Sequence, residues 1–337
     1  MSLHDILRSQ EVDRVFILGM AKNAGKTFTL NHLVRSASRQ GERLGLTSTG
    51  RDGEPLDLVT GKAKPSIFCP RGTLVASARL ALDASSASFV NEEAMGIDTP
   101  LGEVSIAEVS GEGNVELAGP LFAGELECLL ERMEERGARR AFVDGSLDRR
   151  AAGRVVEDLI LAVGAVVSRR LDEIVEAATS LVEQLRAPPP PEHVLEALEG
   201  RASGCSFFRE DGSREALPFS SMLGRSRELA RVLDDESPFA IYVAGAVGED
   251  SFATLARRDS PVRLVIRNAA SLFARPSDWR SFVGKGGVCY AVQPLRLLAV
   301  TVNPYSPEGW EFPPDEFKFA LEEALAPVPV INPAIYD

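Results

Sequence analysis

The chain has 337 residues, 45% of them apolar and 26% charged, with a formal net charge of −12. That length is a prior for about two domains and is enough to bury a core without disulfide or metal staples. The acidic balance argues against a nucleic-acid binder held by phosphate neutralisation.

Met1 to Gln10 carries Asp5 and Arg8 without a long apolar core, so no signal peptide is expected there. No apolar run approaches the ~18 residues that span a bilayer, and a cytoplasmic protein is expected. Cys69, Cys128, Cys205 and Cys289 are scattered and read as reduced thiols, mostly core filler. Histidine occurs only at His4, His32 and His193, too few for a zinc site or a Ser-His-Asp triad.

Arg14 to Gly19 is a short apolar run of the kind that forms a buried parallel strand. Leu30, Leu33, Val34 and Ala37 then repeat with helical spacing over Lys26 to Gln40, and Gly41 stands where a C-terminal cap belongs. Arg43 to Ser48 is the next strand, followed by the polar loop TSTGRDGE. Ser66 to Cys69 and Glu103 to Val109 read as strands, and Thr73 to Leu82 as a helix. Phe122, Leu126, Leu129, Leu130 and Met133 share a helix face that ends at Gly137. Arg140 to Val143 is a strand ending at Asp144. Val155, Val156, Leu159, Ile160 and Val163 line another expected helix, followed by a strand from Ala165 to Ser168 and an amphipathic helix from Leu171 to Leu185.

Pro188 to Pro191 is the best linker in the chain. The expected division is therefore 1–187 for a nucleotide-binding domain, 188–192 for the linker and 193–337 for a C-terminal α/β region. In that region Phe239 to Ala244 and Arg263 to Arg267 read as strands flanking a helix around Ser251 to Arg258. Val288 to Val292 and Arg296 to Val302 read as strands joined by a tight Gln-Pro turn. A helix around Asp315 to Leu325 and a strand from Val328 to Ile331 finish the chain. The fold class is α/β, a doubly wound, mostly parallel sheet, with a C-terminal part that extends the sheet or forms a second domain.

Gly19-Met20-Ala21-Lys22-Asn23-Ala24-Gly25-Lys26-Thr27 lies between an expected strand and an expected helix, the context a phosphate-binding loop requires. Its backbone N–H groups and the helix N-terminus offer donors to an anion. Gly25 lets the backbone approach phosphates, Lys26 would reach the β- and γ-phosphates, and Thr27 would supply a hydroxyl ligand to Mg²⁺. Gly19, Lys22, Asn23, Ala24, Gly25, Lys26, Thr27 and Phe28 form the expected nucleotide-contacting set. Only six lysines occur, and two of them lie in this one loop. A slim ammonium fits a tight backbone cradle better than a planar guanidinium does.

Two carboxylates are candidates for the metal and the chemistry. Asp144 follows an apolar strand, as a Walker B aspartate does, and would hold the Mg²⁺ shell. Asp52, beside Arg51 in the loop after the second strand, would bind metal or position water; Asp148 and Arg149 could sense a γ-phosphate. Lys26, Asp52 and Asp144 are the expected catalytic residues, and Thr27, Asp52 and Asp144 the expected metal set. Asn303, at the end of an apolar strand, is the expected reader of the base, with Asn268 competing for the role. No N-K-x-D guanine-reading motif is present, so ATP is favoured over GTP.

The glycine spacing departs from G-x-x-x-x-G-K-T, because that pattern needs glycine where Met20 stands. Five residues between the glycines resemble the loop of dethiobiotin synthetase and cobyric acid synthases, and K-N-x-G-K-T is similar to the loop of molybdopterin-guanine-dinucleotide assembly proteins. In this P-loop branch some members carry a lysine that reaches a partner's nucleotide. Lys22 lies near that position, which leaves a homodimer open. The strings GMAKNAGKTFTLNHL, LTSTGRDGEPLDLVTGKAKPSIFCPRGTLVAS and FVDGSLDRR resemble, more specifically, the P-loop proteins that accompany adenosylcobalamin-dependent lysine and ornithine aminomutases. The likeness covers roughly the first 185 residues and extends to VTVNPYSPEG. It implies an ATPase acting as a reactivase or chaperone component, with the aminomutase as client and any cobalamin carried by that client. A carboxylate-activating synthetase and a non-catalytic nucleotide-binding scaffold are the alternatives; no nucleic-acid or membrane partner is expected.

Overall fold

Val15, Phe16, Ile17 and Leu18 are apolar at every position because their strand is enclosed on both faces, each being at most 1% exposed. A computed structural model of the chain describes residues 2–50, 66–146, 155–198, 204–211 and 213–334. The chain divides into two compact units, one made of residues 1–175 and 297–337, the other of residues 176–296.

The first unit begins with α1 (Leu3–Ser9), β1 (Arg14–Gly19), α2 (Lys26–Arg39) and β2 (Leu44–Ser48). It continues through β3 (Ile67–Cys69), β4 (Leu74–Ala78), α3 (Arg79–Asp83), β5 (Ser88–Thr99), β6 (Gly102–Gly111) and β7 (Gly113–Val115). Next come α4 (Ala123–Glu135), β8 (Arg140–Ser146), β9 (Asp158–Gly164) and α5 (Leu171–Leu185), the last running on into the second unit. The second unit holds α6 (Glu192–Leu198), β10 (Cys205–Phe208), β11 (Arg214–Leu217), α7 (Ser226–Glu236) and β12 (Ala240–Val243). It closes with α8 (Glu249–Ala256), β13 (Arg263–Asn268), α9 (Pro276–Gly284) and β14 (Val288–Gln293). The chain then re-enters the first unit as β15 (Arg296–Asn303), α10 (Pro314–Ala324) and β16 (Val330–Ile331).

The first unit is built on a nine-stranded sheet in the order β16-β15-β9-β1-β8-β2-β4-β6-β5. β1 pairs in parallel with β8 and β9, and β2 with β8 and β4, whereas β6 runs antiparallel to β4 and β5. Helices cover both faces. Leu30, Leu33, Val34 and Ala37 of α2 join Val15, Ile17, Leu44, Leu46 and Val75 in one core. Leu129 and Met133 of α4 join Leu74, Ala76, Val104 and Ile106 in another. The alternation along β4 puts these cores on opposite sides of the sheet. β1 leads through α2 to β2, on the far side of β8, while β8 leads to β9, on the far side of β1. The connections diverge at the carboxyl ends of β1 and β8, the place where open α/β sheets take ligands. The second unit has its own five-stranded sheet, β11-β10-β12-β13-β14, parallel across β12, β13 and β14.

Four segments differ from their expectation. Residues 155–163, expected as a helix, lead into and form most of β9; a run buried on both faces carries no period to separate strand from helix. Residues 165–167 form a single 3₁₀ turn rather than a strand. Thr73 to Leu82 divides into β4 and the short α3, because burial between β2 and β6 overrides the helix preference of its alanines. β14 and β15 are not a hairpin, since they belong to different sheets. The unit boundary accordingly falls inside α5 and at Leu297, and the proline segment lies within the second unit, where Pro188 O accepts from Ala291 N at 2.9 Å. The C-terminal region thus does both things open to it: residues 176–296 form a separate unit and the remainder extends the first sheet. Cys69, Cys205 and Cys289 are buried and Cys128 is exposed. No helix among the described residues is long and apolar enough to cross a membrane.

Gly145, next to Asp144 on β8, is packed so that a Cβ there would fall 2.0 Å from Cε2 of buried Phe16. Gly145→Ala is expected to destabilise the first unit by ~2 kcal/mol or more through overpacking, read as a lower denaturant midpoint at an unchanged slope.

Candidate functional site

The turn from β1 to α2 is built by close approaches. A Cβ on Gly19 would sit 2.7 Å from Lys26 Cγ and 2.8 Å from its Cδ, so the lysine stem folds back across the end of β1. Met20 N donates to Ala162 O at 3.0 Å, tying the start of the loop to β9, and Ala24 N donates to Ala21 O at 3.3 Å. Asn23 at φ 65° and Gly25 at φ 105° both lie in the left-handed region. Such alternation turns successive N–H groups toward one hollow. Gly25 then caps α2 without any side-chain bond, and the first turn of α2 carries no acidic residue. The helix therefore opens with N–H groups that have no intrahelical partner, at the positive end of its dipole.

Neighbouring strands brace this loop. Gly164, the last residue of β9, lies so near that a Cβ would be 2.6 Å from Ala24 Cα and 2.9 Å from Ala24 O. On β15, Asn303 Cβ would be 2.8 Å from a Cβ on Gly25. Buried Thr29 and Thr301 share a hydrogen bond of 2.7 Å between hydroxyls, and Thr29 Oγ1 also donates to Gly25 O at 3.2 Å.

Asp144 lies on β8, opposite Ile17 of β1 and Ser48 of β2. Its backbone O accepts from Thr49 N at 3.0 Å. Its carboxyl Oδ1 is shut off from solvent and accepts no hydrogen bond from the described residues. Burial pushes this carboxyl above the ordinary carboxylate range, and the Lys26 ammonium partly offsets that rise. An enclosed carboxylate with an unused oxygen suits a hard cation, and N–H groups with an ammonium suit a polyanion. Together they can take a polyphosphate and its divalent metal.

The expected residues fall into three groups. Gly19, Asn23, Ala24, Gly25, Lys26 and Thr27 form the loop and the start of α2, with Ala24 buried and the others at least partly enclosed. Asn303 joins them through Gly25, and Asp144 through its electrostatic contact with Lys26. Lys22 is exposed, and Phe28 is 45% exposed on the first turn of α2. Asp52 lies outside the described residues, as do Arg51, Asp148 and Arg149. Asn268 belongs to the second unit, where its Oδ1 accepts from Ala270 N at 2.8 Å and closes the turn after β13. Sequence reasoning missed Gly164, Thr29 and Thr301. The glycine ends a strand whose sequence reads as a helix, and the threonines carry no local signal because they are 272 positions apart.

Asp144→Asn is expected to stabilise the unliganded first unit, raising its melting temperature by ~2–6 °C. The folded state holds the Asp144 proton more tightly than the unfolded chain does, so wild-type stability falls as pH rises from about 4 toward the folded-state pKa. The advantage of the asparagine variant should grow over that window and then level off, as thermal melts against pH would show.

Comparison of the chain with family models, with curated proteins and with solved structures finds no match.

Proposed function

We propose that the chain is a P-loop NTPase that binds Mg·ATP at the Gly19–Thr27 loop. The observation that carries this reading is the pairing of two opposed charge preferences at the carboxyl ends of adjacent strands. One is an uncapped helix start with the Lys26 stem laid across Gly19; the other is the Asp144 carboxyl, with an oxygen that no other described residue uses. The N–H groups of Gly25 to Phe28 would hold phosphate oxygens, and Lys26 would neutralise the β- and γ-phosphates. Thr27 Oγ1 and Asp144, directly or through water, would hold Mg²⁺, a metal that keeps several waters and needs few protein ligands. The bound metal would supply charge neutralisation on the phosphates. Asp144 is suited to orient a water of the metal shell, and its neighbourhood to Lys26 keeps the two charges balanced before ligand arrives.

The finer reading is that ATP turnover serves a protein client, an adenosylcobalamin-dependent aminomutase whose damaged cobalamin is exchanged. Its support is the resemblance of residues 19–33, 46–77 and 142–150, two of which contribute the loop and Asp144. Nucleotide state would alter the order of the segments beside the phosphates and thereby the affinity for the client.

Lys26→Ala is expected to abolish the Mg·ATP-induced rise in melting temperature while leaving the unliganded melt nearly unchanged. Absence of any Mg·ATP response in the wild type would defeat the nucleotide assignment. Turnover stimulated by an added aminomutase supports the client reading, and turnover that requires a small carboxylate replaces it with a synthetase.

Gly164→Ala provides a steric test away from the ligand. Gly164 has φ −124° and ψ 153°, which an alanine adopts freely, so the substitution acts only by pressing a methyl against Ala24. An ATP affinity lowered about tenfold or more is expected by calorimetry, since a loop misplaced by less than an ångström loses several short hydrogen bonds at once.

A further inference from the structure

We propose that Asn303 is a positioning residue for the Gly19–Thr27 loop and does not read the base. The inference rests on the nucleotide reading above and assigns a different task to one of its residues. A primary amide offers one carbonyl and two N–H donors, and reading the edge of a purine bidentately uses an acceptor and a donor together. Here the carbonyl and one of the two N–H donors are engaged inside the protein, which fixes the plane of the amide against the loop. Asn303 Oδ1 accepts from Tyr305 N at 3.3 Å, and Asn303 Nδ2 donates to Asn23 O at 3.5 Å. The receiving carbonyl belongs to the residue at φ 65°, the non-glycine position where the loop backbone needs support from outside. Two residues on, Asn303 Cβ abuts Gly25, the other left-handed position.

Asn303 is itself anchored. Two residues before it Thr301 is hydrogen-bonded to Thr29, which also donates to Gly25 O. After it the chain turns back, with Phe312 N donating to Pro304 O at 3.0 Å and Ser306 N to Trp310 O at 2.9 Å. Trp310 Nε1 donates to Ala165 O at 3.0 Å, one residue past the Gly164 that supports Ala24. Loop, β15, return turn and the end of β9 thus form a closed circuit of contacts. A side chain built into that circuit governs the phosphate cradle, whatever base the ligand carries.

The test compares three ligands with Mg²⁺ on the full chain by titration calorimetry: ATP, GTP and inorganic tripolyphosphate, which has no base. Asn303→Ala keeps the Cβ contact and removes the amide. It is expected to weaken all three by one common factor, about three- to tenfold, as for the loss of one hydrogen bond. Thr301→Val, which leaves Asn303 in place and loosens its anchor, should give the same base-independent loss, and it serves as the second variant if Asn303→Ala does not fold. A change confined to ATP, or to the ATP/GTP ratio, with tripolyphosphate affinity unchanged would overturn the proposal and make Asn303 a base reader. Unchanged affinity for all three would overturn it as well. If wild type binds none of the three, the nucleotide assignment itself fails and this inference falls with it.

Discussion

Three glycines in or against the Gly19–Thr27 loop leave no room for a methyl group, and each sets a different part of it. At Gly19 the obstacle is the Lys26 stem, at Gly25 it is Asn303, and at Gly164 it is the backbone of Ala24 itself. Backbone packed against backbone, as at Gly164, cannot relax by a rotamer change, so β9 and β15 fix the loop together with its own residues. Such rigidity would let N–H groups at a helix start receive an anion with little reorganisation. The central strands matter here less as hydrogen-bond ladders than as walls that define where the loop can lie.

Asp144 shows the energetic counterpart. A carboxylate with one oxygen shut off from solvent and from any hydrogen bond of the described residues costs stability, and a fold under selection for stability alone would place asparagine or an apolar residue there. Its placement between β1 and β2, within the field of Lys26, is intelligible when a cation is to share the enclosure. The site therefore carries its strain in two forms, electrostatic at Asp144 and conformational at Asn23, the non-glycine residue of the loop at positive φ.

Much of this was legible in the amino-acid order, and the rest was hidden for identifiable reasons. β1, α2 and β2 announce themselves because an apolar run, a helical stripe and a capping glycine follow one another within 35 residues. Asp144 is visible as the acid after an apolar run, although β8 continues past it to Ser146. β9 escaped because burial on both faces erases periodicity, and Gly164 went unnoticed with it. β15 was recognised as a strand, yet paired with the wrong neighbour, since β14 is adjacent in sequence but belongs to another sheet. Asn303 is legible from its place at a strand end; its hydrogen bonds to the loop and to the turn after it are invisible in sequence.

The first unit is interrupted: residues 176–296 separate β9 from β15, so the two braces of the loop lie on either side of an entire unit. Asn23 and Asn303 are 280 positions apart, and Thr29 and Thr301 are 272. During synthesis, β1, α2, β8 and β9 emerge early and can assemble among themselves. The loop, however, lacks one of its walls until the second unit has been made and β15 has followed it. The proposed capacity to bind nucleotide would thus be acquired late, after most of the chain has already found its place.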